Sequence, residues 1–353
     1  MTDDVLASRE GRLGRLRLNR PRAIHALTQA MCEKMGETLL QWMRDPDIDA
    51  VMIDHAEGRG FCAGGDVIAL YESGKSDGKA AAEFFHAEYR LNHLLFTYPK
   101  PIVAFIDGIT MGGGVGISMP CTYRVATENT RFAMPETGIG LFPDVGGGRY
   151  LSRLPGHVGE FMALTGARLD GSECYDLGLA SHFVDSGNLE DLKERIAANP
   201  DRLQGILGTM SITPEIGRIT ENMPRIAKHF QHATLEEIIA SLEAGESDWA
   251  EAELATLRSK SPLSCKVSLR MVREGAERDD FADEMEAEYA LACRVVRTHD
   301  FIEGVRALLV DKDNEPQWDP ATAEGVTETQ VDALFAPLPA SERWTPYPET
   351  QKG

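Results

Sequence analysis

Apolar residues in the first half of the chain recur with two different periods. Short β-branched runs predict a strand pair over residues 5–19 with a turn near Gly11, and single strands over 50–55, 102–106, 123–127 and 180–184. Apolar residues at helical spacing predict helices over 28–44, 67–71, 84–98, 115–119, 146–154, 158–165 and 170–178. Strands that alternate with helices indicate an α/β fold.

Two stretches between these elements predict irregular structure. Residues 72–82 are polar and rich in glycine and alanine, which predicts a mobile loop. Glu128 and Asn129 follow the 123–127 strand directly, and this pair predicts a hairpin-like turn.

The pattern changes after residue 188. Strand signals end there, and acidic amphipathic segments predict helices over 189–198, 235–244, 248–260, 261–272 and 281–309, the last broken near 298–300. The sequence beyond Asp311 is rich in Pro, Asp, Thr and Glu, which predicts irregular structure. We therefore predict a core over residues 1–188 and a helical C-terminal region over 189–353, with an irregular tail from about residue 312.

Charge and cysteine content narrow the classes of partner. A formal net charge of −20 argues against nucleic acid or an anionic membrane as a broad partner, so an anionic ligand requires a local basic patch. No apolar run is long enough to span a bilayer. The six cysteines are scattered without a Cys-x-x-Cys pair, as is typical of buried thiols in a reducing compartment. We therefore predict a cytoplasmic protein without a membrane partner.

Motifs for several chemistries are absent from the sequence. There is no Gly-x-Ser-x-Gly elbow of a serine hydrolase. No His-Glu-x-x-His or paired Cys/His spacing predicts a metal site, and no glycine fingerprint has the spacing of a dinucleotide site. We therefore expect no metal and no bound cofactor.

Two glycine-rich turns each lead into a predicted helix. Gly64 and Gly65 precede the 67–71 helix, and three glycines at 112–114 precede the 115–119 helix. Such turns expose backbone N–H groups, which suit an anion or an oxygen that becomes one during reaction. Two turns that converge would clamp one carbonyl oxygen from both sides. Glycine–helix junctions also occur as plain structural turns, so both interpretations stay open here.

Two carboxylates follow the second turn. Glu136 directly follows the apolar run 132–135, and Asp144 lies two residues before Gly146. Free amides and a carboxylate that attacks, or that activates water, are what reaction at a carbonyl requires. Acids beside glycine and proline are also common turn formers and helix caps. Glu88 lies within an apolar helix, where a carboxylate usually faces solvent.

Three motifs in a fixed order carry a family resemblance. They are GFCAGGD at 60–66, GITMGGGVG at 108–116 and MPETGIGLFPDVGGG at 134–148, with further matches at 164–166, 180–184 and 299–307. Together they resemble the crotonase (enoyl-CoA hydratase/isomerase) superfamily, and more narrowly its 3-hydroxyisobutyryl-CoA hydrolase branch. The match covers nearly the whole chain.

The resemblance implies a fold and a substrate class. The implied fold is a crotonase-like spiral of ββα units, with a helical C-terminal region that completes the substrate pocket. The implied substrate is an acyl-CoA thioester whose carbonyl lies between the amides of Gly65 and Gly113. Because CoA is part of that substrate, no separate cofactor is implied. Proteins of the superfamily often form trimers or dimers of trimers through their C-terminal helices. The longer helical half of this chain can cover that surface instead, so a monomer, a dimer and a larger homo-oligomer all stay open.

The resemblance also implies roles for individual side chains. Glu136 matches a catalytic carboxylate, Asp144 matches the acid of the hydrolase branch, and Glu88 matches a substrate-pocket residue of that branch. The implied CoA-binding positions lie in one loop and in the first glycine turn: Arg22, Ala23, Ile24, His25, Ala26, Ala63 and Asp66.

One departure from the family pattern favours hydrolysis. Hydratases of the superfamily use two glutamates, and the first would fall at Gly116, which has no side chain. The resemblance therefore implies hydrolysis of 3-hydroxyisobutyryl-CoA, a step of valine breakdown, with Glu136 as nucleophile or general base. The alternatives are an enoyl-CoA hydratase or isomerase, and a non-catalytic acyl-CoA-binding protein.

Overall fold

Two β-sheets form the centre of the molecule. A computed structural model describes residues 4–350. The strands within that range are β1 Val5–Glu10, β2 Leu13–Leu18, β3 Ala50–His55, β4 Ile102–Phe105, β5 Ile109–Met111, β6 Tyr123–Ala126, β7 Arg131–Ala133, β8 Leu169–Asp170 and β9 His182–Phe183. The larger sheet has the order β1-β2-β3-β4-β6-β9, and the smaller has the order β5-β7-β8. The predicted strands are confirmed, although β9 is shorter than expected.

The chain passes repeatedly from the larger sheet to the smaller one. β4 and β6 pair in parallel in the larger sheet, while β5 and β7, which follow them, pair in parallel in the smaller sheet. Single bridges from Gly60 to Gly108 and from Cys62 to Thr110 place the segment after β3 beside β5 in the same way. Each turn of the chain thus adds a strand to each layer before a helix, which confirms the spiral of ββα units.

Sixteen α-helices surround the sheets within residues 4–350. They are α1 Gln29–Arg44, α2 Val67–Gly74, α3 Lys79–Phe96, α4 Gly113–Ser118, α5 Gly147–Ser152, α6 Val158–Thr165, α7 Gly171–Asp176, α8 Leu189–Ala198, α9 Leu203–Met210, α10 Arg218–Phe230, α11 Leu235–Glu243, α12 Asp248–Arg258, α13 Pro262–Glu277, α14 Phe281–Val295, α15 His299–Val305 and α16 Glu328–Phe335. None of these helices has the length and apolar character that crossing a bilayer requires.

Local capping explains several helix boundaries. The Thr28 hydroxyl accepts a hydrogen bond from the Met31 N–H and begins α1 as predicted. Asp170 and Glu173 form a reciprocal capping box at the start of α7. Thr298 caps α15, so the predicted break in the 281–309 helical region lies where a new N-terminus begins.

Three sequence expectations are wrong, each for a local reason. Residues 72–82 are mostly helical, because α2 continues to Gly74 and α3 begins at Lys79; the Ser73 hydroxyl accepts from the Ala81 N–H and holds the two helices together. The turn after β6 is not a hairpin, because β7 joins the other sheet. The tail is not wholly irregular, because a capping box at Thr327 starts α16. Helices α9 and α10 were not anticipated.

The C-terminal helices pack on the first half of the chain. α13 lies against α5 and α6, and α14 lies against α3 and α16. The main apolar core includes residues of both halves, for example Phe85 and Phe142 with Phe281 and Phe301. A second apolar cluster lies where α8 and α9 cover the larger sheet. The division at residue 188 stays a prediction.

Candidate active site

The first glycine turn directs one backbone amide away from its neighbours. The carbonyl of Gly64 accepts from the Leu27 N–H, and the Asp66 N–H donates to the Leu27 carbonyl. Because successive amides of an extended segment point to opposite sides, the Gly65 N–H points away from Leu27. It has no acceptor among residues 4–350. Gly64 has a φ of +116°, a conformation that favours glycine.

The second glycine turn lies directly beside the first. The Met111 N–H donates to the Cys62 carbonyl, and a Cβ placed on Gly64 would lie 3.7 Å from the nitrogen of Gly113. Gly113 is the first residue of α4, so its N–H has no partner within the helix, and none exists elsewhere in the described chain. The structure therefore brings the two predicted amides, Gly65 and Gly113, to one place.

Three carboxyl groups surround these turns. Glu88 projects from α3, and its Oε1 would lie 2.5 Å from a Cβ on Gly113. Glu136 begins the short 3-10 turn after β7, and its Oε1 would lie 3.1 Å from a Cβ on Gly112. Asp144 precedes α5 and accepts a 2.7 Å hydrogen bond from the Tyr89 hydroxyl. The solvent-facing reading of Glu88 is wrong, because only 2% of this residue is exposed.

Burial governs the protonation of this acidic cluster. Removal from water raises the pKa of Glu88, Glu136 and Asp144, and repulsion from Asp144 raises those of Glu88 and Glu136 further. The hydrogen bond from Tyr89 stabilises the ionised form of Asp144, whose pKa rises only to about 6. One oxygen each of Glu88 and Glu136 is buried without a hydrogen-bond partner within residues 4–350.

A carboxylate from the C-terminal region holds the loop that carries Asp144. Glu288 of α14 accepts hydrogen bonds from the N–H groups of Gly146 (2.7 Å) and Gly148 (3.2 Å). Between them and Asp144, Val145 has a φ of +56°, which is strained for a β-branched residue. The two bonds from a buried side chain oppose this strain. Glu288 thus positions Asp144 without contacting it.

The loop over residues 22–26, to which the resemblance assigns CoA binding, lies against the first glycine turn. The Ala63 N–H donates to the Ile24 carbonyl, and Arg20 connects the two segments by donating to Ala26 O and to Asp66 Oδ2. His25 is wholly buried; its Nδ1 accepts from the Arg20 N–H, so its Nε2 donates to the Glu57 carbonyl. That imidazole shapes the loop and is not itself available to a ligand.

A cationic side chain lies on the surface of this loop. Arg22 is exposed, and Ala23 and Asp66 are partly exposed beside it. No ion pair of Arg22 occurs within the described chain, so its guanidinium is available to an anion. It is a local positive charge on a strongly acidic protein.

The sequence did not identify Tyr89, Glu288 or Arg20. It also did not identify Asn92, a buried residue of α3 whose Nδ2 would lie 2.9 Å from a Cβ on Gly116. A signal existed for Asn92, because Glu88 and Asn92 continue the apolar stripe of Phe85 at helical spacing, and a polar residue in such a stripe faces the core. No local signal existed for Glu288, which acts on residues about 140 positions away.

Known proteins resemble this chain over most of its length. The family model described as enoyl-CoA hydratase/isomerase matches residues 13–335. Curated relatives named "3-hydroxyisobutyryl-CoA hydrolase, mitochondrial" include one from Gallus gallus, 42% identical over 95% of this chain and 89% of its own length. The relative of that name from Homo sapiens is 42% identical over 96% of this chain and 90% of its own length.

Two solved structures share the fold over almost the whole chain. One, described as a carnitinyl-CoA dehydratase from Mycobacterium thermoresistibile, has a TM-score of 0.94 at 39% identity and covers 98% of this chain and 100% of its own. The other, described as an enoyl-CoA hydratase from Rhodobacter sphaeroides, has a TM-score of 0.91 at 36% identity, with 97% and 100% covered. The chain therefore belongs to the crotonase, or enoyl-CoA hydratase/isomerase, superfamily.

Proposed function

We propose that this protein hydrolyses 3-hydroxyisobutyryl-CoA to the free hydroxy acid and CoA. The observation that carries the proposal is the position of Glu136 beside the amides of Gly65 and Gly113, which have no acceptor within residues 4–350. Relatives with the corresponding name, about 40% identical over nearly the full chain, support the same reaction.

The proposed chemistry begins at the thioester carbonyl. Its oxygen accepts hydrogen bonds from the Gly65 and Gly113 amides, which stabilise the negative charge that develops on attack. Glu136 acts either as the nucleophile, to give a mixed anhydride that water hydrolyses, or as the base that activates water. The new C–O bond replaces the C–S bond, and the departing thiolate of CoA takes up a proton. Asp144 binds the substrate hydroxyl or assists that proton transfer.

The CoA portion of the substrate is proposed to lie along residues 22–26, with Ala63 and Asp66. The support for this is the packing of that loop on the Gly65 turn, together with the free guanidinium of Arg22. A cation at this position attracts a phosphate group locally, although the net charge of the protein is negative. CoA is part of the substrate, and we propose that the reaction uses no other cofactor.

A second candidate function is enoyl-CoA hydration. The names of the two structural relatives, a dehydratase and a hydratase, favour it. Gly116 argues against it, because this position has no carboxylate and Val145 and Asn92 occupy the space where its side chain would lie. An assay with crotonyl-CoA distinguishes the two reactions, because hydration removes the absorbance of the double bond.

Thiol release from acyl-CoA esters tests the proposal. We expect release from 3-hydroxyisobutyryl-CoA by the wild type, and loss of nearly all turnover in Glu136→Gln with ester binding retained. Glu194→Gln is a matched control, since Glu194 lies exposed on α8. Full turnover in Glu136→Gln would remove Glu136 from the mechanism. Tight binding without thiol release in the wild type would indicate an acyl-CoA-binding protein.

Location and assembly are separate proposals. The cytoplasmic location and the homo-oligomer inferred from the sequence stay predictions, and the curated relatives above are named as mitochondrial proteins. A role in valine breakdown follows only if the proposed substrate is correct.

A further inference from the structure

Asn92 carries a side-chain amide that no described part of the chain satisfies. The residue lies on α3 and is wholly buried, yet neither Nδ2 nor Oδ1 has a hydrogen-bond partner within residues 4–350. An amide side chain offers two donor hydrogens and an acceptor oxygen, and leaving them unpaired away from water is unfavourable. Buried polar groups in folded proteins are nearly always paired, so this one indicates a partner that comes from outside the chain.

The amide lies on the face of α3 that forms the active site. Glu88 and Tyr89 precede Asn92 by four and three residues, so the three side chains share one side of the helix. Glu88 faces Gly113, whereas Asn92 faces Gly116, one turn farther along α4: its Nδ2 would lie 2.9 Å from a Cβ placed on Gly116.

Position along α4 relates Asn92 to the proposed carbonyl site. In the proposed function the thioester carbonyl binds at the amide of Gly113, the first residue of α4, and Gly116 lies one helical turn farther along the same helix. Val145, the neighbour of Asp144, also contacts the space above Gly116. Asn92 therefore lies about one turn of α4 from the proposed carbonyl site, on the side of Val145 and Asp144.

We propose that Asn92 is a specificity-determining residue that hydrogen-bonds the hydroxyl group of a 3-hydroxyacyl thioester. This inference rests on the proposed function. A hydroxyl both donates and accepts, and the amide matches both capacities. Because an amide does not ionise, it can bind the hydroxyl without adding a fourth acid to Glu88, Glu136 and Asp144. A substrate without the hydroxyl leaves the amide unpaired and is selected against.

The test compares two esters that differ only in the hydroxyl, 3-hydroxyisobutyryl-CoA and isobutyryl-CoA. We expect the wild type to prefer the hydroxylated ester in kcat/KM. In Asn92→Leu, kcat/KM for the hydroxylated ester should fall roughly ten- to hundredfold, while that for isobutyryl-CoA stays the same or rises. Ser268→Ala is the matched control, because Ser268 on α13 is also a buried group without a partner in the described chain. It should keep the wild-type ratio.

The possible results separate this inference from the proposed function. Equal loss on both esters in Asn92→Leu makes Asn92 a structural residue and overturns the inference alone. A wild type that releases thiol from neither ester refutes the proposed function and the inference with it. If Asn92→Leu fails to fold, Asn92→Ser, which adds no volume, gives the same ratio measurement; an unchanged ratio in that variant also overturns the inference.

Discussion

Replacing Asp144 with asparagine should make the protein more stable at neutral pH. Burial raises the pKa of Asp144 from 3.8 to about 6. Below the lower value the acid is protonated in both the folded and the unfolded protein, and its contribution to stability is fully present. As the pH rises, the unfolded chain loses this proton at a lower pH than the folded protein does. The free energy of unfolding therefore falls with pH until the pH passes about 6. The complete shift corresponds to about 3 kcal/mol.

Asparagine removes this pH dependence and keeps the local structure. Its side-chain oxygen can still accept the hydrogen bond from Tyr89, so no hydroxyl is left unpaired. Between pH 4.5 and 7.5, the wild type loses about 2 kcal/mol of the contribution that Asp144 makes to its free energy of unfolding. The variant loses none of it, because asparagine does not titrate. The difference in unfolding free energy between Asp144→Asn and the wild type should therefore increase by about that amount across this range.

Denaturant titrations at several pH values measure the difference. Asp201→Asn is a suitable control, because Asp201 is exposed, and its stability curve should follow that of the wild type. Asp144→Asn should also lose most hydrolysis, so the gain in stability accompanies a loss of function. Parallel stability curves for Asp144→Asn and the wild type would refute the pKa argument and the assignment of Asp144 to a buried acidic cluster.

Two further predictions concern the groups that hold Asp144. Tyr89→Phe removes the hydrogen bond that favours the ionised carboxylate, so the pKa of Asp144 should rise above about 6. The limb of the pH profile of kcat/KM that reports the titration of Asp144 should move to higher pH, and a profile with both limbs unmoved would contradict this role. Glu288→Ala leaves the N–H groups of Gly146 and Gly148 unpaired, which should lower the unfolding free energy by about 3 kcal/mol and reduce kcat more than it raises KM. Thermal melting and steady-state kinetics measure both effects; wild-type kcat in this variant would show that the loop is held without Glu288.

Most of the secondary structure was predictable from the sequence, because its signals are local. The alternation of β-branched runs and amphipathic segments predicted the strands and most helices of the first half. Capping residues such as Thr28 and Asp170 act within one turn of their own position, so they marked helix starts correctly. The errors arose where a weak local signal was decided by packing, as in residues 72–82, whose alanines favour a helix once α2 and α3 abut.

The active-site residues also fall into two groups, those that the sequence identified and those that only the tertiary structure revealed. Residue type and order alone selected the glycine turns, Glu136, Asp144 and, by resemblance, Glu88. Only the tertiary structure showed that Glu88 is buried, that Tyr89 holds Asp144 and that Glu288 holds the following loop. It also showed that Asn92 has no hydrogen-bond partner among residues 4–350. Backbone preference depends on neighbours in sequence, whereas burial, pKa and hydrogen-bond satisfaction depend on atoms that folding brings together from distant parts of the chain.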